Sequence, residues 1–272
     1  MESVAVDPRP PVLVKLGGSL ITRKREEERV RPKVLARLCR EIASVADQRV
    51  VLLHGAGSFG HSGALRFGLN RAPEGGSAPS DRARGAAIVA GEIRRLHLAV
   101  LREFVRAGGA PFSVPLSTHA RNREGRPVEL DAGPIESALE GGMTPVSFGD
   151  VVPDDAWGFS ILGADTIATE LVPILHPLRV IFATDVEGVF GPGRSGQRPL
   201  IPEVTDEVAQ SLGSEGRTPD VTGGIRAKAL AMRAIARFGV DAVLISGLTD
   251  GALSRAIRGE AVYGSWAHAR PR

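Results

Sequence analysis

The sequence predicts an α/β fold, a sandwich of helices around a mainly parallel central sheet, and three features point to it. Aliphatic runs without polar alternation occur at Val12 to Leu16, Val50 to Leu53, Val180 to Ala183 and Val243 to Ser246, as expected of strands covered on both faces. Helical patterns over Val34 to Ala46, Ala83 to Val105, Ala164 to Leu175, Val204 to Leu212 and Ile225 to Phe238 alternate with these runs. Parallel strands need such crossovers. Glycine clusters follow the strands, and in folds of this class ligands sit at the carboxyl ends of the strands.

The remaining segments fit around that frame. Asn70 to Arg82, with Pro73, Gly75, Gly76 and Pro79, reads as a mobile loop, either a lid or a long connection. His119 to Asp131 and Asp150 to Ser160 carry turn residues at hairpin spacing and read as two hairpin insertions. No repeat and no autonomous linker is visible, and a lobe boundary near residue 175 divides the chain into 1–175 and 176–272.

Composition narrows the function. With 272 residues, 43% hydrophobic and 24% charged, the chain can bury a large core as one domain or two joined lobes. No apolar run approaches the roughly 20 residues of a membrane span, and the N-terminus, with Asp7 and three prolines nearby, lacks a signal peptide's apolar segment. A soluble cytoplasmic protein is expected. The single Cys39 recurs at helical spacing with Leu35, Leu38 and Ile42 and reads as a buried structural thiol. The net charge is only +3, so nucleic acid is not indicated. Of 34 basic residues 30 are arginines, and the four lysines are Lys15, Lys24, Lys33 and Lys228. A compact ammonium on a flexible stem is a different chemical tool from a guanidinium, so each lysine draws attention.

The first strand ends in Lys15-Leu-Gly-Gly-Ser19. Its glycines let backbone amides approach an anion, and an ammonium ending an apolar strand needs an anionic partner. A strand-ending turn with a snorkelling lysine is the bland alternative. The second strand runs into His54-Gly-Ala-Gly-Ser-Phe-Gly-His61-Ser62. Gly55, Gly57 and Gly60 have the spacing of a dinucleotide fingerprint, but the acid about 20 residues on, Asp81, falls in a turn-rich loop. A Walker A loop fails because His61 stands where its lysine must be. What survives is an anion-binding loop with an imidazole at its mouth.

The third strand leads into Ala183-Thr-Asp-Val-Glu-Gly188, whose acids suit a ribose or ammonium group or simply cap a turn. The fourth cluster, Asp220-Val-Thr-Gly-Gly224, opens a helix that carries Lys228 one turn in, favourable for phosphate. Asp150 and Asp165 follow Gly149 and Ala164. Beside several lysines they are expected to hold the ammonium groups in place, with helix or turn capping as the alternative for both, and for Asp165 in particular.

These motifs, in this order from Lys15 to about Trp266, resemble the amino acid kinase superfamily and, within it, the isopentenyl phosphate kinase family. The histidine after Ser-Phe-Gly narrows the resemblance to kinases whose acceptor is itself a phosphate or phosphonate. It implies an open αβα sandwich, an acceptor-binding lobe over 1–175, a nucleotide-binding lobe over 176–272, and a homodimer. It further implies phosphorylation of isopentenyl phosphate to isopentenyl diphosphate by ATP with Mg²⁺, within an alternative mevalonate route. Carried over by position, Lys15, Gly17, Gly18 and Ser19 hold the donor phosphates, with Gly57, Asp185, Gly188, Gly223, Gly224 and Lys228 at the nucleotide. Lys24 neutralises the transferring phosphoryl group, while His61, Ala56 and Gly163 bind the acceptor phosphate. Asp150 and Asp165 complete the catalytic set. Relatives commonly have a third consecutive glycine where Ala56 stands.

Two rivals remain at this level. A phosphonate kinase of the same fold, acting on fosfomycin, would share the histidine and lysines but needs a compact polar acceptor pocket rather than an apolar channel. Candidate channel residues are Phe67, Leu69, Ile88, Ile93 and Ile161, which core packing explains equally well. A non-catalytic nucleotide- or anion-binding protein would need the glycine loops but not three lysines and His61. Carbamate, aspartate and uridylate kinases leave His61 without a task.

Overall fold

The four aliphatic runs are central strands of a computed structural model that describes residues 9–23, 26, 28–45, 47–73, 79–191, 199–212 and 224–269. The chain begins β1 (Val12–Leu16), α1 (Gly18–Ile21), α2 (Pro32–Ala43), β2 (Val50–His54), α3 (His61–Arg66) and α4 (Pro79–Arg106). It continues through β3 (Pro111–Ser113), β4 (Ala120–Arg123), β5 (Arg126–Leu130), α5 (Gly133–Glu140), β6 (Thr144–Phe148), β7 (Asp150–Asp154), β8 (Gly158–Leu162) and α6 (Ala164–Leu175). It ends with β9 (Arg179–Thr184), β10 (Val189–Phe190), β11 (Leu200–Ile201), α7 (Asp206–Ser211), α8 (Gly224–Arg237), β12 (Asp241–Ser246), α9 (Ala252–Arg258) and β13 (Gly264–Ala267).

The main sheet has seven strands in the order β13-β12-β9-β1-β2-β6-β3. All its pairings are parallel except that of β13 with β12. The residues of β1, β2, β9 and β12 are almost wholly buried because helices cover both faces. On one face Leu13, Val51 and Leu53 meet Ile167 and Leu171 of α6 and Met232 and Ile235 of α8. On the other, Val14, Leu16 and Leu52 meet Leu35, Leu38 and Ile42 of α2, Val100 of α4 and Leu253 of α9. The spacing of the α2 residues is one helical stripe, and Cys39 lies in it, its thiol pushed up to about 12 by burial.

The two expected hairpins join as one four-stranded sheet, β5-β4-β7-β8. Buried Asp154 knits it, accepting from the amides of Glu124, Gly125 and Trp157 and from the Ser160 hydroxyl. The expectation of a loop over 70–82 needs correction at its end. The helix begins at Pro79, where a fixed φ suits the first turn, and Arg82 already donates to the carbonyls of Gly68, Arg71 and Phe159. Residues 74–78 lie outside the described residues.

Candidate active site

Strand β1 sits where the order of the sheet turns, with β2 on one side and β9 on the other, and its carboxyl end opens into a cleft. The Gly17 amide donates to Ala183 O at 2.8 Å and the Gly55 amide to Leu16 O at 2.9 Å, so the loops after β1, β2 and β9 converge. The first two loops touch backbone to backbone. A Cβ on Gly18 would stand 2.6 Å from Gly57 Cα, and Gly57 itself has φ +54°, so neither position accepts a side chain without displacement. Thr22 ties them further: its hydroxyl donates to Gly18 O at 2.8 Å and accepts from the Ser58 amide at 3.0 Å.

The cleft has a volume of about 810 Å³, and its lining unites glycines 17, 18, 55, 57, 60, 149, 163 and 224 with Lys15, Ser19, Ala56, His61, Asp165, Asp185 and Lys228. At its charged end Asp165 stands between two lysines. Lys15 Nζ is 2.6 Å from one carboxylate oxygen and Lys228 Nζ 3.1 Å from the other. Asp165 comes from the first turn of α6 and Lys228 from the second turn of α8. Burial alone would raise the Asp165 pKa, but the ammonium groups outweigh it and hold the carboxyl down at about 2. The triad keeps one positive charge in excess at the cleft wall, a fit for a polyanion.

His61 opens α3 and lines the same cleft, together with the backbone of Ala56 and Gly163. Ser19 Oγ donates to Asp185 Oδ1 at 2.8 Å, bridging the loops after β1 and β9. Beyond these, Ala64, Leu65, Ile93 and Ile161 give the cleft an apolar wall. It is backed by a small core of Leu69, Ala86, Val89, Ile93, Phe148 and Val151, against which Phe67 packs. Ile88, a candidate channel residue by sequence, is instead 40% exposed.

Two expected site residues lie elsewhere. Asp150 does not hold a lysine. Its carboxylate accepts from Arg94 at 3.2 and 3.3 Å and from the amides of Ser117 and Val151, because β7 belongs to the small sheet and packs against α4. Burial pushes its carboxyl up despite Arg94. Gly188 is buried, and a Cβ there would stand 2.3 Å from Leu200 Cδ1 and 2.7 Å from Ser265 Oγ, so its lack of a side chain seats the β10–β11 ribbon and it does not line the cleft. Lys24, Gly223 and the 220–222 segment lie outside the described residues. Sequence reasoning passed over Thr22, Arg94 and the burial of His54. Thr22 carried one signal, its position four residues after Gly18, within reach of that carbonyl.

A fold with one helix-covered parallel sheet and glycine loops around paired lysines defines a phosphate-handling α/β protein. The model of the amino acid kinase family matches residues 10–246, and the chain belongs to that family. The isopentenyl phosphate kinase of Methanothermobacter thermautotrophicus is 33% identical over 263 residues, covering 93% of this chain and 97% of that protein. That of Haloferax volcanii is 36% identical over 221 residues, covering 80% and 85% respectively. A solved isopentenyl phosphate kinase superposes with a TM-score of 0.82 at 30% identity, covering 94% of this chain and 99% of the other.

Proposed function

We propose that the chain is a kinase that transfers the γ-phosphoryl group of ATP to isopentenyl phosphate, giving isopentenyl diphosphate and ADP. The observation that carries this reading is one cavity joining a lysine-lined end to an apolar wall of Leu65, Ile93 and Ile161, with His61 also in its lining. A fosfomycin site would have no use for that wall.

Phosphoryl transfer depends on in-line positioning and neutralisation of charge more than on covalent chemistry. Lys15 and Lys228, held apart by the shared carboxylate of Asp165, present their ammonium groups to the donor phosphates without reorganising during the reaction. The amides of Gly18 and Ser19 cradle the same phosphates, while that of Gly17 is spent on Ala183 O. His61 and the Ala56 and Gly163 backbone orient the acceptor phosphate, which is already an anionic nucleophile, so no protein base is needed. Lys24 offsets charge on the transferring group. The cleft's oxygen ligands, Asp185 and Ser19, fit a hard cation; they would hold Mg²⁺ together with phosphate and water oxygens, and it would supply neutralisation of charge on the nucleotide. Among the described residues no three His, Cys, Asp or Glu side chains form a metal cluster.

The reading extends to an acceptor lobe over 1–175 and a nucleotide lobe over 176–272, a cytoplasmic location and a homodimer. Among the described residues no helix is long and apolar enough to cross a membrane. Exposed Leu98 and Val105 share one face of α4, and Phe112 is exposed on edge strand β3, which supports pairing of two copies there.

The direct test is ADP release with ATP and Mg²⁺, comparing isopentenyl phosphate, dimethylallyl phosphate and fosfomycin at matched concentrations. Preference for the isoprenoid phosphates supports the reading, preference for fosfomycin moves the biology to resistance, and turnover with none of them revives a binding protein. His61→Ala is expected to lower kcat/KM by about a hundredfold with little change in Tm. Parallel losses of stability and activity would remove His61 from the acceptor site.

A further inference from the structure

Behind the acceptor loop lies a buried polar cluster that phosphoryl transfer does not directly use. His54, the last residue of β2, is fully buried, and His97 of α4 is buried beside it. Their ring centroids are 5.3 Å apart, and both rings pack against Phe148. A chain of contacts runs through them. Ser113 Oγ is 2.8 Å from His97 Nε2, His97 Nδ1 is 3.0 Å from His54 Nε2, and His54 Nδ1 is 3.2 Å from Gly55 O.

The protons of this chain can be placed from chemistry alone. A carbonyl oxygen only accepts, so His54 must carry its proton on Nδ1 to bond Gly55. For a neutral ring that leaves Nε2 as an acceptor, so His97 donates from its Nδ1, accepts at Nε2, and receives the Ser113 hydroxyl proton. Burial keeps both rings neutral, drawing the His54 pKa down to about 4 and that of His97 to about 2. Every donor then points the same way, from the edge strand toward Gly55.

What Gly55 does with that bond follows from peptide geometry. The Gly55–Ala56 peptide is trans, as are all others among the described residues, so its C=O and N–H point to opposite sides of one rigid plane. Fixing the oxygen on His54 fixes the direction of the Ala56 N–H. The preceding His54–Gly55 peptide is tied on both sides, its amide donating to Leu16 O of β1 at 2.9 Å and its carbonyl accepting from the Gly149 amide after β6 at 3.1 Å, so the Gly55–Ala56 peptide starts from a fixed point, and Ala56 lines the cleft. We infer that His54, oriented by His97 and Ser113, is a positioning residue that aims the Ala56 N–H at the phosphate of the acceptor. The inference rests on the cleft being the acceptor site proposed above. It also gives the backbone a means of holding its direction where Ala56 brings a methyl group into the loop.

The test has two arms on the full-length protein. In the first, the unmutated chain labelled with ¹⁵N-histidine is read by long-range ¹H–¹⁵N correlation. The expected result is the Nδ1–H tautomer for both His54 and His97, the form less populated by a neutral histidine side chain in water. An Nε2–H tautomer on either ring would break the chain and overturn the inference, whether or not any variant folds.

In the second arm, His54→Phe keeps ring volume and stacking but removes the donor. The acceptor KM should rise about tenfold, the effect of one lost hydrogen bond, while the KM for ATP stays within about twofold. His54→Asn places an amide N–H near the former Nδ1–H and should recover most of the acceptor affinity. Equal changes in both KM values, or no rescue by Asn, would mark His54 as a core residue only. If fosfomycin proves the better acceptor it serves as the probe in this arm. Absence of turnover by the unmutated protein with every acceptor overturns the proposed function and this inference together, whereas normal turnover with a failed rescue overturns the inference alone.

Discussion

Two buried polar clusters flank the carboxyl end of the central strands, and they solve the cost of burial in opposite ways. Lys15 shares a sheet face with Leu53, and it is kept charged by Asp165, which also holds Lys228. One residue along on the partner strand, His54 points to the other face and is kept neutral by burial, its polarity absorbed by Gly55 and His97. The first arrangement preserves charge where a polyanion must be gripped, and removing one partner from it is expensive. The second preserves direction without charge, which suits a backbone that must be aimed.

That contrast can be broken most forcefully at its centre. Asp165→Ala would leave two ammonium groups buried side by side without a counter-charge, and a loss of about 3–5 kcal/mol is expected in denaturant unfolding, with turnover abolished. If His54→Phe destabilised the chain as much, the two clusters would not differ in the way described. Lys228→Met is milder, because Asp165 retains Lys15. Stability should fall by about 1 kcal/mol while kcat/KM falls on the order of a hundredfold, and steady-state kinetics beside thermal melts will separate the two.

Acid titration should resolve the clusters in sequence. The histidines have folded pKa values near 4 and 2 against 6.5 for the free group. The unfolded chain therefore binds more protons below 6.5, and the stability they contribute is full above that pH and erodes as pH falls below it. Asp165 has a depressed pKa of about 2 against 3.8, so its contribution is full above 3.8 and is lost only between there and about pH 2. Unfolding free energy followed from pH 8 to 2 should show the first decline beginning near 6.5 and a second below 3.8. A single decline confined to the carboxylate range would mean that the imidazoles are not held neutral. The smallest effect concerns Cys39, whose thiol is pushed up to about 12. A thiol reagent at neutral pH should modify it roughly a hundredfold more slowly in the folded than in the unfolded chain.

Much of the fold was legible because the core strands are aliphatic on both faces. β1 coincides with its predicted span, and α6 matches from Ala164 to Leu175. β3, with three residues and two of them exposed, had no pattern to read. β6 carries Pro145, β13 is four residues long, and α5 and α9 are short, so these went unseen. In the cleft, lysines beside glycines and a carboxylate opening a helix are local signals, and Lys15, Asp165 and Lys228 do come together. Partners far apart in the chain left no such trace. Nothing near Asp150 announces Arg94, 56 residues away, and nothing near His54 announces His97, 43 residues away.

The register of β1 has a consequence for how the protein is made. Val12 pairs with Val50 on one side and with Arg179 on the other, so the strand that carries Lys15 leaves the ribosome well over a hundred residues before the partner that covers its second edge. Until β9 emerges, that edge is a row of unpaired amides and carbonyls on an apolar ribbon, a template for wrong partners. Placing one strand between β2 and β9 ties the loops that follow them together in the finished protein, and during synthesis it makes the interval between residues 54 and 179 the period of greatest exposure to aggregation.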